Sequence, residues 1–221
     1  MLGWSSRLRS QKLKTLYYTS IGSLSLFSFL WHRTTRNGDY TDAYVNLGCG
    51  TKYVPGMVNI DGNLFRKKDI WLDVTLGLPF RDNSLKGVYS SHLLEHLSVQ
   101  EVRRLLTQCY RALKPGGVLR LVVPSLEYAI QAYVQGKPAL LPDWPDRYRS
   151  IGGRFNNLML CRNQHATLLD FTLVEELLKD TGFSLIYREA PGNSQHFSAC
   201  HLQFESDPSL IDLSLYAEAI K

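Results

Sequence analysis

The sequence predicts a doubly wound α/β domain with a mostly parallel seven-stranded sheet, its last strand antiparallel. Three observations predict it. From Ala43 onward, short apolar runs alternate with helical patterns, as parallel strands joined by crossover helices require. Two of those helices open on capping signals. The residues that follow successive strands are glycines, carboxylates and a Ser-Ser-His run, and open α/β sheets meet their ligands beyond the carboxyl ends of their strands.

The size suits this reading. A chain of 221 residues, 44% hydrophobic and 20% charged, is long enough for one domain with a sizeable core. The net charge of +5 is unevenly placed. Residues 1–40 hold Arg7, Arg9, Lys12, Lys14, Arg33 and Arg36 against Asp39 alone, so the remainder is neutral. Nucleic-acid binding by the folded domain is therefore not expected. Cys49, Cys109, Cys161 and Cys200 form no C-x-x-C pair. That argues against a zinc ribbon or a disulfide scaffold and for a reducing, cytoplasmic setting.

The first element is an arm, residues 1–40, separate from a domain over 41–221. Within the arm, residues 16–31 are apolar and aromatic with basic flanks. They fall short of the roughly 20 apolar residues of a spanning helix, and no A-x-A-like cleavage site follows. A helix that packs on the domain or lies on a membrane surface is expected, with peripheral contact to anionic lipid as one outcome.

Strands are then expected at 43–47, 57–60, 69–74, 87–91 and 118–123, followed by 183–189 and 197–204 with Pro191-Gly192-Asn193 as their turn. Ser98 to Glu101 reads as a capping box opening a helix through Leu113, stopped by Lys114-Pro115-Gly116-Gly117. Thr172 to Glu175 reads as a second capping box, and Gly182 as the helix's C-terminal cap. Residues 51–56 are too few for a crossover helix, so a short turn is expected there.

The candidate cofactor residues lie at strand ends. Gly48-Cys49-Gly50 ends the first strand and allows close backbone approach. Asp61 ends the second, where a carboxylate can accept from ribose hydroxyls. Asp73 ends the third and could accept from an exocyclic amine. Ser91 and His92 end the fourth. A full G-x-G-x-x-G fingerprint is missing, since Tyr53 stands at its third glycine; this weighs against a nicotinamide enzyme.

These residues carry a resemblance. The run V-N-L-G-C-G-T-K-Y-V-P-G-M-V-N-I-D resembles the first motif of the class I S-adenosylmethionine (SAM)-dependent methyltransferases. It is most similar to the methyltransferase type 11 and ubiquinone-biosynthesis-like group. The segments D-V-T-L-G-L-P-F-R-D-N-S-L-K-G-V-Y-S-S-H-L-L-E-H-L and L-K-P-G-G-V-L-R-L-V-V-P resemble its later motifs in the same order, over about residues 43–190. The resemblance implies a Rossmann-like fold with SAM as cofactor. Gly48, Cys49 and Gly50 would line its methionine part, with Asn46 beside them. Asp61 would hold the ribose, Asp73 and the Val74 N–H the adenine, and Ser91 and His92 would lie near the sulfonium. Asn46 departs from a frequent acidic residue and Thr51 from a frequent glycine.

His92-Leu-Leu-Glu95-His96 also matches the H-x-x-E-H zinc-peptidase pattern. Its place between a strand and a capping box, and its fit to the methyltransferase pattern, set that aside. No metal is expected.

Residues 136–168 interrupt the regular pattern with prolines, glycines and aromatics, and suggest a substrate-side insertion. Lys137, Arg147, Arg149, Arg154 and Arg162 outnumber Asp143 and Asp146 there, which suits phosphate or carboxylate groups. The expected reaction is methyl transfer to oxygen on an anionic small molecule or a sugar or glycan intermediate. His92 and His165 are the candidate general bases. Two alternatives stay open: a SAM-binding, non-catalytic interaction module, and a nicotinamide-dependent oxidoreductase.

Overall fold

The computed structural model describes residues 24–36, 40–207 and 210–221. Seven strands form one sheet: β1 (Tyr44–Leu47), β2 (Val58–Asp61), β3 (Ile70–Trp71), β4 (Leu85–Ser91), β5 (Leu113–Pro124), β6 (Leu185–Arg188) and β7 (Ser214–Ile220). Their spatial order is β3-β2-β1-β4-β5-β7-β6. The first five run parallel, and β7 lies antiparallel between β5 and β6. This is the architecture the sequence predicts.

The strand expected at 197–204 is not one. That segment is a series of turns, and the last strand is β7 instead. Tyr216-Ala-Glu-Ala has little strand propensity by composition, and it becomes a strand through its partners. Arg120 on β5 faces Glu218 on β7 in register, and both are fully buried. The Arg120 guanidinium bonds Glu218 Oε1 at 2.8 Å and Glu205 at 2.7 and 2.5 Å. It also donates to the Asn193 and Ala190 carbonyls. Every lobe of its fork is thus satisfied, as a buried charge requires. The same bonds bring the 190–206 segment onto the sheet.

Strand alternation divides the core. Val45, Leu47, Leu119, Leu121, Leu215 and Ala217 face a helical layer made by α2 (Val99–Ala112) and α5 (Phe171–Thr181). Helix α2 buries Val102, Leu105 and Leu106, each worth about 1.5–3 kcal/mol relative to exposure. The other face carries Tyr89, Val118, Val122 and Tyr216, covered by Phe197 and Leu202.

The Ser98–Glu101 capping box forms as expected, and Gly182 caps α5 in the left-handed region. The second predicted box does not form. Asp170 is the N-cap, accepting from Leu173 N–H, and the Thr172 hydroxyl bonds that same carboxylate. The helix therefore starts before Thr172. Helices α3 (Leu126–Val134) and α4 (Ile151–Leu160) pack together through Ala129, Ala132, Leu158 and Met159. The expected insertion at 136–168 thus contains a ten-residue helix.

No helix joins β1 to β2. Two turns do, closed by Lys52 N–H to Cys49 O and Met57 N–H to Val54 O. Asn59, completely buried, accepts from Val54 N–H and donates to the Val54 and Met57 carbonyls. One side-chain amide does the work that a crossover helix would do for its own backbone.

Of the arm, helix α1 (Ser25–Trp31) and a following turn at His32–Arg36 are described. Ser25 is buried and Phe29 packs against the main core. The predicted helical segment before residue 24 lies outside the described residues.

Candidate active site

The carboxyl ends of β1 and β2 meet at a single carboxylate. Asp61 Oδ2 accepts from Gly50 N–H at 2.7 Å, and Oδ1 accepts from Asn63 N–H at 2.6 Å. Asp61 is only 8% exposed. Each carboxylate oxygen can accept a second hydrogen bond, so the side chain can hold the loop and a ribose together. Gly48 and Gly50 both have left-handed φ, 65° and 52°. A Cβ on Gly48 would lie 2.9 Å from Leu93 Cδ1, whereas one on Gly50 would meet nothing closer than Gly48 O at 3.9 Å. The first glycine lets the turn after β4 close over β1; the second leaves backbone open to a ligand.

Asn46 is buried beneath this loop. Its amide donates to Lys52 O and Asn59 Oδ1, so it shapes the loop through its NH2 group. The Cys49 thiol is buried and pushed up to about 12, first by burial and then by the Asp61 charge; it is a neutral lining group.

Asp73 caps a one-turn helix at Val74–Leu76, its Oδ1 accepting from Thr75 N–H and hydroxyl. Those bonds leave Oδ2 for an exocyclic amine. Its own N–H donates to Ser25 Oγ on α1 at 2.9 Å. The arm thus touches the edge of the candidate cofactor site, through a serine that no sequence signal singled out. Val74 is buried behind Asp73.

Ser91 is the last residue of β4, half-buried and paired with Val122. His92 follows with a left-handed φ of 54°. Its Nδ1 lies 3.2 Å from Glu95 Oε1 and its Nε2 lies 3.1 Å from Ser214 Oγ. Burial pushes the Glu95 carboxyl up, but the hydrogen bond and charge of His92, with the charge of His96, outweigh it and hold the group below its ordinary value. His165 is half-buried, its Nδ1 on the Met159 carbonyl at 3.1 Å, and burial lowers its pKa. It does not join His92. It stacks edge-on against His96, ring centroids 5.1 Å apart. Glu95 and Ser214 were not singled out as site residues by the sequence; both are brought to His92 by tertiary packing.

The arginines of the insertion divide. Arg154 donates to the Tyr148, Pro138 and Leu141 carbonyls, and Arg162 pairs with Asp146. These two hold the segment's shape. Arg147 and Arg149 are exposed.

The geometry at Gly48–Gly50, Asp61 and Asp73 fits SAM: an open backbone turn, a carboxylate at the end of β2 that could take a ribose, and a second two residues beyond β3. A methyltransferase-domain family model matches residues 37–121, the stretch that holds all of these strand ends. Among solved structures, a SAM-dependent methyltransferase of Thermotoga maritima, described as a possible histamine N-methyltransferase, aligns at a TM-score of 0.51 with 15% identity, over 99% of this chain and 100% of its own. A Haloferax volcanii protein solved with the Trm112 methyltransferase activator aligns at 0.51 with 14% identity, over 100% and 98%. At such identities the likeness is one of fold. No curated protein matches the chain in sequence. Strand order, glycine turn and the methyltransferase-domain match over residues 37–121 agree with the fold of the class I SAM-dependent methyltransferases. The cofactor that this match and fold point to is SAM.

Proposed function

We propose that the chain is a SAM-dependent methyltransferase that acts on an oxygen of an anionic small molecule or a sugar or glycan intermediate. SAM, when bound, supplies an electrophilic methyl group. Gly48, Cys49 and Gly50 would line its methionine part above Asn46. Asp61 would hold the ribose and Asp73 and Val74 the adenine, with Ser91 at the sulfonium end. Positioning of this kind supplies much of the acceleration in a transfer between two bound partners.

The observation that carries the acceptor reading is the division among the arginines. Arg154 and Arg162 are committed to holding the insertion, whereas Arg147 and Arg149 are exposed on the same segment. A planar guanidinium fork suits phosphate or carboxylate. His92 is the group we assign to receive the acceptor's proton: Glu95 orients Nδ1, and Nε2 now meets a hydroxyl, that of Ser214. His165, the other candidate base, belongs with His96 instead. Replacing Arg147 and Arg149 together by alanine should raise the acceptor KM about tenfold or more and leave SAM affinity unchanged. Unaltered acceptor kinetics across anionic and neutral acceptors would sink this reading.

A second reading concerns the arm. Leu24, Leu26, Phe27, Leu30 and Trp31 are exposed, Phe27 by 75%, while Ser25 and Phe29 face the domain. Among the described residues no helix is long and apolar enough to cross a membrane. We read this face, next to Arg33 and Arg36, as one that lies on anionic lipid. Phe27→Ser with Trp31→Ser should abolish salt-sensitive cosedimentation with phosphatidylserine vesicles; equal binding by both proteins would dismiss the face. The unpaired cysteines suit a reducing, cytoplasmic setting for the domain.

A further inference from the structure

One cluster lies outside the cofactor site and takes up the carboxylate oxygen of Glu95 that its bond to His92 leaves over. Glu95, His96 and His165 offer a carboxylate oxygen and two ring nitrogens that all lie within 4.8 Å of one another. We propose that these three residues bind a divalent first-row cation of the zinc type.

Four observations support the site. Glu95 is 2% exposed, and its Oε2 has no hydrogen-bond partner among the described residues, while Oε1 is taken by His92. A buried carboxylate oxygen without a partner is costly, and a cation removes that cost. Both histidines place Nδ1 on a backbone carbonyl, Gln164 O for His96 and Met159 O for His165. A carbonyl only accepts, so each proton is held on Nδ1 and each Nε2 keeps its lone pair. Metal-ligating histidines are oriented in this way. The backbone already holds the two halves of the cluster together: Ala166 and Thr167 N–H donate to Glu95 O, and the Thr167 hydroxyl donates to Leu97 O. Finally, Glu95 and His165 line one shared crevice together with Pro124, Met159 and Thr167.

Two imidazoles and one carboxylate are a zinc donor set, and they disfavour magnesium, which prefers oxygen. The bonded pair His92–Glu95 is separate chemistry on the other carboxylate oxygen. The H-x-x-E-H pattern therefore points at the wrong partner. Its first histidine faces Ser214, and the second imidazole of the set comes from His165, 69 residues beyond His96. A cation here would fasten the turn after β4 to the segment leading into α5.

The test needs no acceptor. The full chain, stripped with EDTA, is titrated with Zn2+ and with Mg2+ in a calorimeter, and with Co2+ in a spectrophotometer. We expect one equivalent of Zn2+ to bind at micromolar concentration or tighter, Mg2+ to give no heat, and Co2+ to give visible d–d bands. His96→Ala, at an exposed position, and His165→Ala should each weaken Zn2+ at least tenfold and erase the bands; Cys200→Ser should do neither. Titration of each protein with SAM checks separately that the cofactor site is intact. Absence of Zn2+ binding, or Zn2+ binding that neither histidine variant weakens, overturns the proposal. Failure of the native chain to bind SAM would instead count against the methyltransferase assignment.

Discussion

The proposed cofactor edge and the proposed acceptor side of the sheet are built by opposite means. At the cofactor edge, polar groups are joined by neighbours in sequence and sheet: Asp61 to Gly50, 11 residues away, and Asn46 to Asn59, 13 away. On the acceptor side they come from distant segments: His92 to Ser214, 122 residues apart, His96 to Gln164, 68 apart, and Arg120 to Glu218, 98 apart. The first region is defined once β1 and β2 pair. The second exists only after the C-terminal third has docked. Damage at the edge should therefore appear as lost ligand affinity in a folded protein, and damage to the buried long-range ion pair Arg120–Glu218 as lost folding.

The sharpest way to break this contrast is Arg120→Met. It strands two buried carboxylates, and removal of one partner from a buried ion pair typically costs about 3–5 kcal/mol. Urea unfolding should show a loss of that size. A midpoint within error of the native one would mean that the acceptor side does not depend on this link. Asp61→Ala comes next. It should weaken SAM by about 1–3 kcal/mol, since it removes both the proposed ribose acceptor and the clamp on Gly50, while far-UV circular dichroism stays native. Loss of fold instead of affinity would erase the distinction. Asp73→Ala should cost SAM binding about 1 kcal/mol or somewhat more, and the loss of its cap should lower stability by a similar amount. Unchanged SAM affinity in the folded variant would remove the adenine assignment. Ser25→Ala is the smallest, a fraction of the Asp73 effect, and sharpens the comparison by asking whether the arm supports the edge. Calorimetry with SAM measures all three edge variants.

The same contrast explains what could be read in the chain. The positions of Gly48, Gly50 and Asp61 beside one another were legible because each stands at or just beyond a strand end in an almost continuous segment; the third strand, expected at 69–74, stops at Trp71, and Asp73 caps the turn that follows. The missing helix after Gly50 was legible from chain length alone. By contrast β7 was misplaced, because Glu218 tolerates a central strand only through Arg120 on its neighbour. The true N-cap Asp170 was passed over for Thr172, since both satisfy a capping pattern and the choice lies in the backbone angles. Ser25, Ser214 and the pairing of Glu95 with His165 leave no trace in spacing. They are meetings of segments that touch only in the finished fold.

The helix-free connection between β1 and β2 bears on ligand choice. In a dinucleotide-binding Rossmann domain, the helix after the glycine turn aims its positive end at the pyrophosphate and offsets the loss of that group's hydration. This chain has turns in its place, and their polar groups are drawn inward to Asn46 and Asn59. A diphosphate would find little to replace its water. A sulfonium carries positive charge and requires no such field, so the connection selects against nicotinamide dinucleotides before any base or ribose is read.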